Sequence, residues 1–398
     1  MSRPFQIIQN KAKPIKNATR FVVLIGLVSL FGDMTYEAAR SINGPFLAFL
    51  GANAMTVGFV AGSGELIGYL LRLFSGYLSD KTQKYWVITL VGYSINLIAV
   101  PCLALAGNWP AASALMILER LGKAIRTPAR DAMLANASQS MGRGWGFALH
   151  EALDQIGAVT GPLIVAAVFY FTGKFSAGYA VLAIPALMAL ALLLTAKFLY
   201  PRPQDLEIKI HKIAPEGFLR RYWIYVLAVA LVAAGYADFP LIAYHWKKTA
   251  LFPTAWIPVF YSVAMGVDAL SALFFGRLFD RRGLSVLMTV SFISAFFAPF
   301  VFSHSFAGAI FGMALWGVGM GTQESIMRAA VSEMAPKEKR GTAFGIFNTG
   351  YGVAWFLGSA LMGFLYDRSL FLVIIFSMSM QFLSIPLFWL ISRKERPS

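Results

Sequence analysis

The sequence is short of charge, of cysteine and of polar stretches long enough to form a soluble domain. Charged residues make up 13% of its 398 positions, about half the share of a soluble protein of this length. The single cysteine, Cys102, excludes an internal disulfide and offers no metal-cluster spacing. It reads as a packing residue. No Gly-x-x-x-x-Gly-Lys-(Ser/Thr) phosphate loop occurs, which argues against an ATP-driven pump. Acidic residues are scarce as well, 19 against 34 basic ones.

What is present is apolar. Hydrophobic residues make up 58% of the chain and the mean hydropathy is +0.65. A membrane-spanning helix needs about 20 apolar residues, and stretches of that kind recur almost throughout. The pattern predicts an all-α integral membrane fold of about twelve transmembrane helices. They fall near 19–49, 54–79, 84–106, 109–135, 143–171, 177–199, 221–247, 253–279, 284–302, 306–333, 338–366 and 369–391. Short connections such as Gly107-Asn-Trp-Pro110 force antiparallel neighbours. The one long polar stretch, 200–220, carries Pro201, Pro203 and Pro215. It reads as a cytoplasmic linker between two six-helix bundles, 1–199 and 221–398.

A net charge of +15 invites a nucleic-acid reading, but its distribution opposes one, because a nucleic-acid module gathers its basic residues on one soluble face. Here they lie in alternate loops and at both termini. Examples are Lys11, Lys13 and Lys16; Lys81 and Lys84; Arg220 and Arg221; Arg281 and Arg282; Lys337 and Lys339. Basic residues stay on the cytoplasmic side, so both termini are expected in the cytoplasm. The apolar span after the basic N-terminus is too long for a cleaved signal peptide.

The chain also repeats itself. Gly76-Tyr-Leu-Ser-Asp80-Lys81 closes one apolar segment, and Gly276-Arg-Leu-Phe-Asp280-Arg281 closes another about 200 residues later. Arg143-Gly144-x-x-Phe147, followed by Gly161, is matched by Arg340-Gly341-x-x-Phe344, followed by Gly358. The repeat unit is therefore a bundle of membrane helices, an arrangement usual in carriers that rock around a central site.

These residues resemble the major facilitator superfamily, and the resemblance covers essentially the whole chain. Gly76, Asp80, Lys81 and Lys84 match the family's loop signature, although Gln83 and Tyr85 depart from it. The run Glu119-Arg120-Leu-Gly122-Lys123-Ala-Ile125-Arg126-Thr127-Pro-Ala-Arg130-Asp131, with His150-x-x-x-Asp154-Gln-x-Gly157, is similar to a prokaryotic branch of carriers with no assigned substrate. Gly157-x-x-x-Gly161-Pro162 resembles a drug/proton antiporter signature, but Val165 and Ala166 stand where its second glycine pair belongs. Antiport is not carried over. The resemblance implies that helices 1, 4, 7 and 10 line a central cavity, and that the protein is a monomer.

All four of those helices carry charge near their middles: Asp33 and Glu37; Glu119, Arg120, Lys123 and Arg126; Asp238; Glu324 and Arg328. An ionisable residue at mid-membrane depth costs several kcal/mol unless paired or hydrated, which makes each a functional candidate. Asp33, Glu37 and Arg40 share one face of helix 1. A carboxylate withdrawn from water is relieved of its desolvation cost by a proton, so Asp33 and Glu37 are the candidates for proton coupling. The plainer alternative pairs Glu37 with Arg40. In helix 4, Glu119, Lys123, Arg126 and Arg130 follow at steps of four, three and four. This stripe is either an anion-attracting wall or an internal network in which Glu119 and Asp131 neutralise neighbours and Asp80 reaches Arg130. His150 and Asp154 could share a metal, or serve a gate between the halves.

The leading expectation is a secondary transporter, proton-coupled, in the cytoplasmic membrane. Its expected substrate is anionic, zwitterionic or amphipathic, and its partners are protons and lipid, with no cofactor, no resident metal and no nucleic acid. Drug, metabolite or metal efflux on the same fold stays open. So do a non-transporting sensor and a membrane-embedded enzyme, for which only His150 with Asp154 hints at chemistry.

Overall fold

The computed structural model describes residues 3–138, 143–201, 220–334 and 340–392. Most of the expected linker lies outside the described residues, as do the side chains of Asp80, Asp280, Glu324 and Arg328. The described residues are helical almost throughout. The first seven helices are α1 (Arg3–Phe49), α2 (Ala54–Thr82), α3 (Tyr85–Cys102), α4 (Trp109–Ser138), α5 (Arg143–Thr172), α6 (Phe175–Val181) and α7 (Ala183–Leu199). A short 3-10 turn, Leu103–Leu105, extends α3. After the linker come α8 (Arg220–Gly235), α9 (Phe239–Thr249), α10 (Trp256–Arg282), α11 (Ser285–Ser294), α12 (Phe297–Val301), α13 (Phe306–Met334), α14 (Arg340–Arg368) and α15 (Leu370–Ser392).

Eight segments among the described residues are long and apolar enough to cross a membrane, from Ala18–Phe49 to Leu370–Ser392. In lipid a backbone must satisfy its own polar groups, so apolar spans of this length fold as helices. Helix α4 is not among the eight. It carries Glu119, Arg120, Lys123, Arg126, Arg130 and Asp131, and it packs against α1, α2, α3 and α5.

Three stretches expected as unbroken helices are broken: 177–199 at Leu182, 221–247 at 236–238, and 284–302 at 295–296. Each break is followed by a proline in the first turn of the next helix, namely Pro185, Pro240 and Pro299. A proline ring clashes with the carbonyl four residues back. Counting back four gives Val181, Tyr236 and Ala295, each at or just past the end of the preceding helix. Pro128, Pro162 and Pro386 sit inside continuous helices instead. The middle break is braced from α13, where the Trp316 indole donates to the Ala237 carbonyl at 2.9 Å.

The sequence repeat is visible in the packing. Gly161 of α5 lies against the Met34 carbonyl of α1, and Gly358 of α14 lies against the Ala234 carbonyl of α8. A side chain at either position would force the paired helices apart. Gly157 meets the Leu30 carbonyl one turn earlier. Gly76 has only ordinary contact with Pro128, and Gly276 has open space. Between the early and late helices, α2 packs on α14, α5 on α10 and α1 on α9.

Candidate functional site

One face of α1 presents Asp33, Tyr36, Glu37 and Arg40, each under a tenth exposed. Around it the charges form a continuous chain. The Arg40 guanidinium donates to Asp238 at 3.0 Å and lies 3.4 Å from Glu65 of α2. Glu65 is shared with Arg120 of α4 at 3.3 Å, and Arg120 reaches Glu119 at 3.2 Å. Asn96 of α3 closes that end, donating to the Glu119 carboxylate at 2.8 Å. Glu37 faces the Lys123 ammonium at 3.6 Å and accepts from the Tyr261 hydroxyl of α10. Asp238 holds the N-cap position where the broken helix restarts, makes no side-chain cap bond there, and also accepts from the Trp355 indole at 3.3 Å. Alternating buried charges of this kind satisfy one another only as a set.

A second cluster joins the later half of α4 to α1 and the earlier half of α5. Arg130 donates to Asp131 at 2.8 and 2.9 Å and to the Ser29 hydroxyl at 3.0 Å. Ser29 in turn lies 2.9 Å from Nε2 of His150, whose Nδ1 is 3.4 Å from Asp154. The Tyr36 hydroxyl donates to Asp33. Above this group the Lys123 ammonium rests 3.8 Å from the Tyr36 ring centre, and the Arg126 guanidinium 4.1 Å from that of Tyr93.

The two clusters border a cavity of about 770 Å³. Its walls come from the middles of α1, α10 and α13, the later halves of α2 and α4, the earlier half of α5 and the first turns of α14, so it opens on the side where α4 ends and α14 begins. A smaller void of about 80 Å³ lies deeper, beside Glu37, Arg40 and Lys123, and adds Gln323, Tyr351 and Trp355. The opposite side is closed by backbone contact. Gly44 of α1 lies against the Pro240 carbonyl, Gly58 of α2 against that of Ser359, and Gly363 of α14 against that of Ala54. There the Asp367 carboxylate also accepts from the backbone nitrogens of Met55 at 3.0 Å and Ala54 at 3.4 Å.

The structure therefore gathers Asp33, Glu37, Lys123, Arg126, Arg130, Asp131 and Asp154 on one cavity. Glu119, Arg120 and Asp238 stand apart from it, around a further void of about 30 Å³. Of the expected lining helices, the first, fourth and tenth reach the large cavity. Helices α1 and α4 border the large cavity and α13 touches it through Met320, but α2, α5, α10 and α14 supply the rest. The seventh span borders the further void through Asp238 and Pro240, and Asp238 accepts from Arg40. His150 is buried behind Ser29. Gly157 and Gly161 shape the α1–α5 contact, and Pro162 is buried next to them in α5. Lys81 and Arg281 lie exposed at helix ends. Ser29, Tyr93, Gln323 and Trp355 are site residues that sequence reasoning missed. Ser29 had a signal, standing four residues before Asp33 on the same helical face.

The family described as Major Facilitator Superfamily matches residues 24–359 and 254–398. An uncharacterized protein of Mycobacterium tuberculosis is 38% identical over 380 residues, covering 94% of this chain and 93% of its own. An uncharacterized MFS-type transporter of Methanocaldococcus jannaschii is 26% identical over 382 residues, covering 92% and 93%. Among solved structures, a bacterial homolog of the human lysosomal transporter Spinster, inward-facing and unoccupied, superposes with a TM-score of 0.73. It shares 11% sequence identity, over 96% of this chain and 99% of that one.

Proposed function

The chain belongs to the Major Facilitator Superfamily, and from that premise we propose that it is a secondary transporter moving a small organic solute across the cytoplasmic membrane by alternating access. In this reading twelve spans form two bundles, 1–199 and 221–398, which rock about the buried charges. Both termini lie in the cytoplasm, and the large cavity faces the same side. The substrate is an anion, a zwitterion or an amphipathic metabolite. Asp33 and Glu37 carry the coupling proton, and the helix-4 charges Glu119, Arg120, Lys123 and Arg126 meet or organise the substrate.

The observation that carries this reading is the cavity itself: about 770 Å³, open on one side, sealed on the other, and floored by buried charges. A sensor or a structural protein has no need of a solvent-accessible chamber ending on Asp33, Glu37 and Lys123 at mid-depth. Buried charge there is expensive, and a carrier can use it twice, for solute and for proton.

The test is flux in reconstituted vesicles under an imposed pH gradient, with a panel of organic anions, zwitterions and cations. At least one acidic or zwitterionic solute should accumulate, together with proton movement. Asp33→Asn should abolish gradient-driven accumulation while leaving solute exchange intact. Accumulation by Asp33→Asn at the wild-type rate would rule out coupling at that residue. A complete lack of solute-dependent flux would sink the carrier reading.

A further inference from the structure

Four basic side chains of α4 project towards the cavity region, and three are engaged. Arg120 lies between Glu65 and Glu119, Lys123 against Glu37, and Arg130 against Asp131 and Ser29. Arg126 is different. Its side chain is wholly buried, and none of its three guanidinium nitrogens has a hydrogen-bond partner among the described residues. Ring faces hold it instead, with its Cζ 4.1 Å from the Tyr93 centroid and 5.5 Å from that of Tyr36. Aromatic faces offset only part of the cost of burying a cation. The nearby acids are held elsewhere, Asp33 by the Tyr36 hydroxyl and Asp154 beside His150.

Arg126 nevertheless stands in the wall of the large cavity, next to Lys123 and beneath Tyr36. Met265, Met320 and Phe344, all from the later helices, give the same cavity an apolar side. A guanidinium presents a planar fork that binds carboxylate or phosphate through two hydrogen bonds. Unfilled donors on that fork are the complement of an oxyanion.

Resting on the carrier reading, we infer that Arg126 anchors an oxyanion subsite, and that the substrate is a soluble organic anion with an apolar body. Its carboxylate or phosphate docks on Arg126 beside Lys123, and its body lies against Met265, Met320 and Phe344. Tyr36 is the cover, and the anion reaches the guanidinium when the ring swings aside.

The test titrates phosphate and phenylphosphonate against chloride at constant ionic strength, following thermal unfolding of the detergent-solubilised full chain. Both oxyanions should raise the wild-type midpoint saturably, phenylphosphonate at lower concentration. Arg126→Met should lose the response, and Arg126→Lys should keep it with affinity weaker by roughly tenfold or more. A wild-type response no larger than chloride's, or an equal response in Arg126→Met, overturns the subsite. Phosphate binding as tightly as phenylphosphonate overturns the apolar body, and stabilisation by phosphatidic acid alone overturns the soluble ligand. Phenylglyoxal labelling of the wild type needs no variant. Protection of Arg126 by phenylphosphonate supports the subsite, and unchanged labelling or an unreactive Arg126 contradicts it. Oxyanion binding at Arg126 without flux of any solute would uphold the subsite and sink the carrier. Flux unaffected by Arg126→Met would do the reverse.

Discussion

Arg126 and Arg40 are both buried arginines in the same bundle, yet single substitutions at the two sites should have opposite effects. Arg40 is paired with Asp238 and Glu65, so Asp238→Asn strips a carboxylate from a buried guanidinium. That should cost about 3 kcal/mol, seen as a lower unfolding midpoint, and Arg40→Met combined with Asp238→Leu should recover much of it. Among the described residues Arg126 has no hydrogen-bonded carboxylate to strand. Arg126→Met should leave the unliganded protein more stable, by on the order of 1 kcal/mol. The α4 stripe is legible in the sequence because steps of four, three and four fall on one helical face whatever surrounds them. Which charge pairs with which is not. Asp238 is 198 positions from Arg40, and Tyr261 is 224 from Glu37. No periodicity links residues that meet only after the helices assemble, so Arg126 and Arg120 look alike in the sequence and differ in the fold.

At the scale of helices, the motif glycines separate into those that hold helices together and those that do not. Gly161→Val drives a branched side chain into the Met34 carbonyl of α1. It should cost roughly 3 kcal/mol and appear as loss of the monodisperse peak in size-exclusion chromatography. Gly276→Ala enters open space and should leave the stability unchanged or raise it by up to about 1 kcal/mol, since alanine favours helix. If Gly276 serves the loop signature, its role lies in motion and not in packing. The helical spans themselves are legible, because lipid leaves an apolar run little choice but helix. The breaks are legible only in hindsight. Pro185, Pro240 and Pro299 end a helix four residues back, whereas Pro128 and Pro162 do not. At Pro128 the freed Ala124 carbonyl accepts from the Ser75 hydroxyl of α2, a partner that the local sequence does not encode.

For the whole molecule, the sealed side is where the proposed rocking has to begin. Asp367, at the end of α14, sits on the first backbone amides of α2, where a carboxylate meets the positive end of a helix dipole. Asp367→Asn should weaken that contact by about 1 kcal/mol, roughly a fivefold change in the ratio of closed to open states. Spin labels at Phe49 and Arg368, both exposed near the seal, should report it as a larger long-distance population. An unchanged distance distribution would show that the glycine contacts alone set the closure.

Those glycine contacts also decide where a membrane potential acts. A chamber open to solvent on one side is nearly at the potential of that side, so the voltage falls across the thin layer of packed backbone formed by Gly44, Gly58 and Gly363. A charge resting beside Arg126 then feels little of the field, and one crossing the seal feels almost all of it, about 2.3 kcal/mol per unit charge at 100 mV. Any net charge carried per cycle should therefore make the turnover step voltage-dependent while leaving binding from the open side insensitive to voltage.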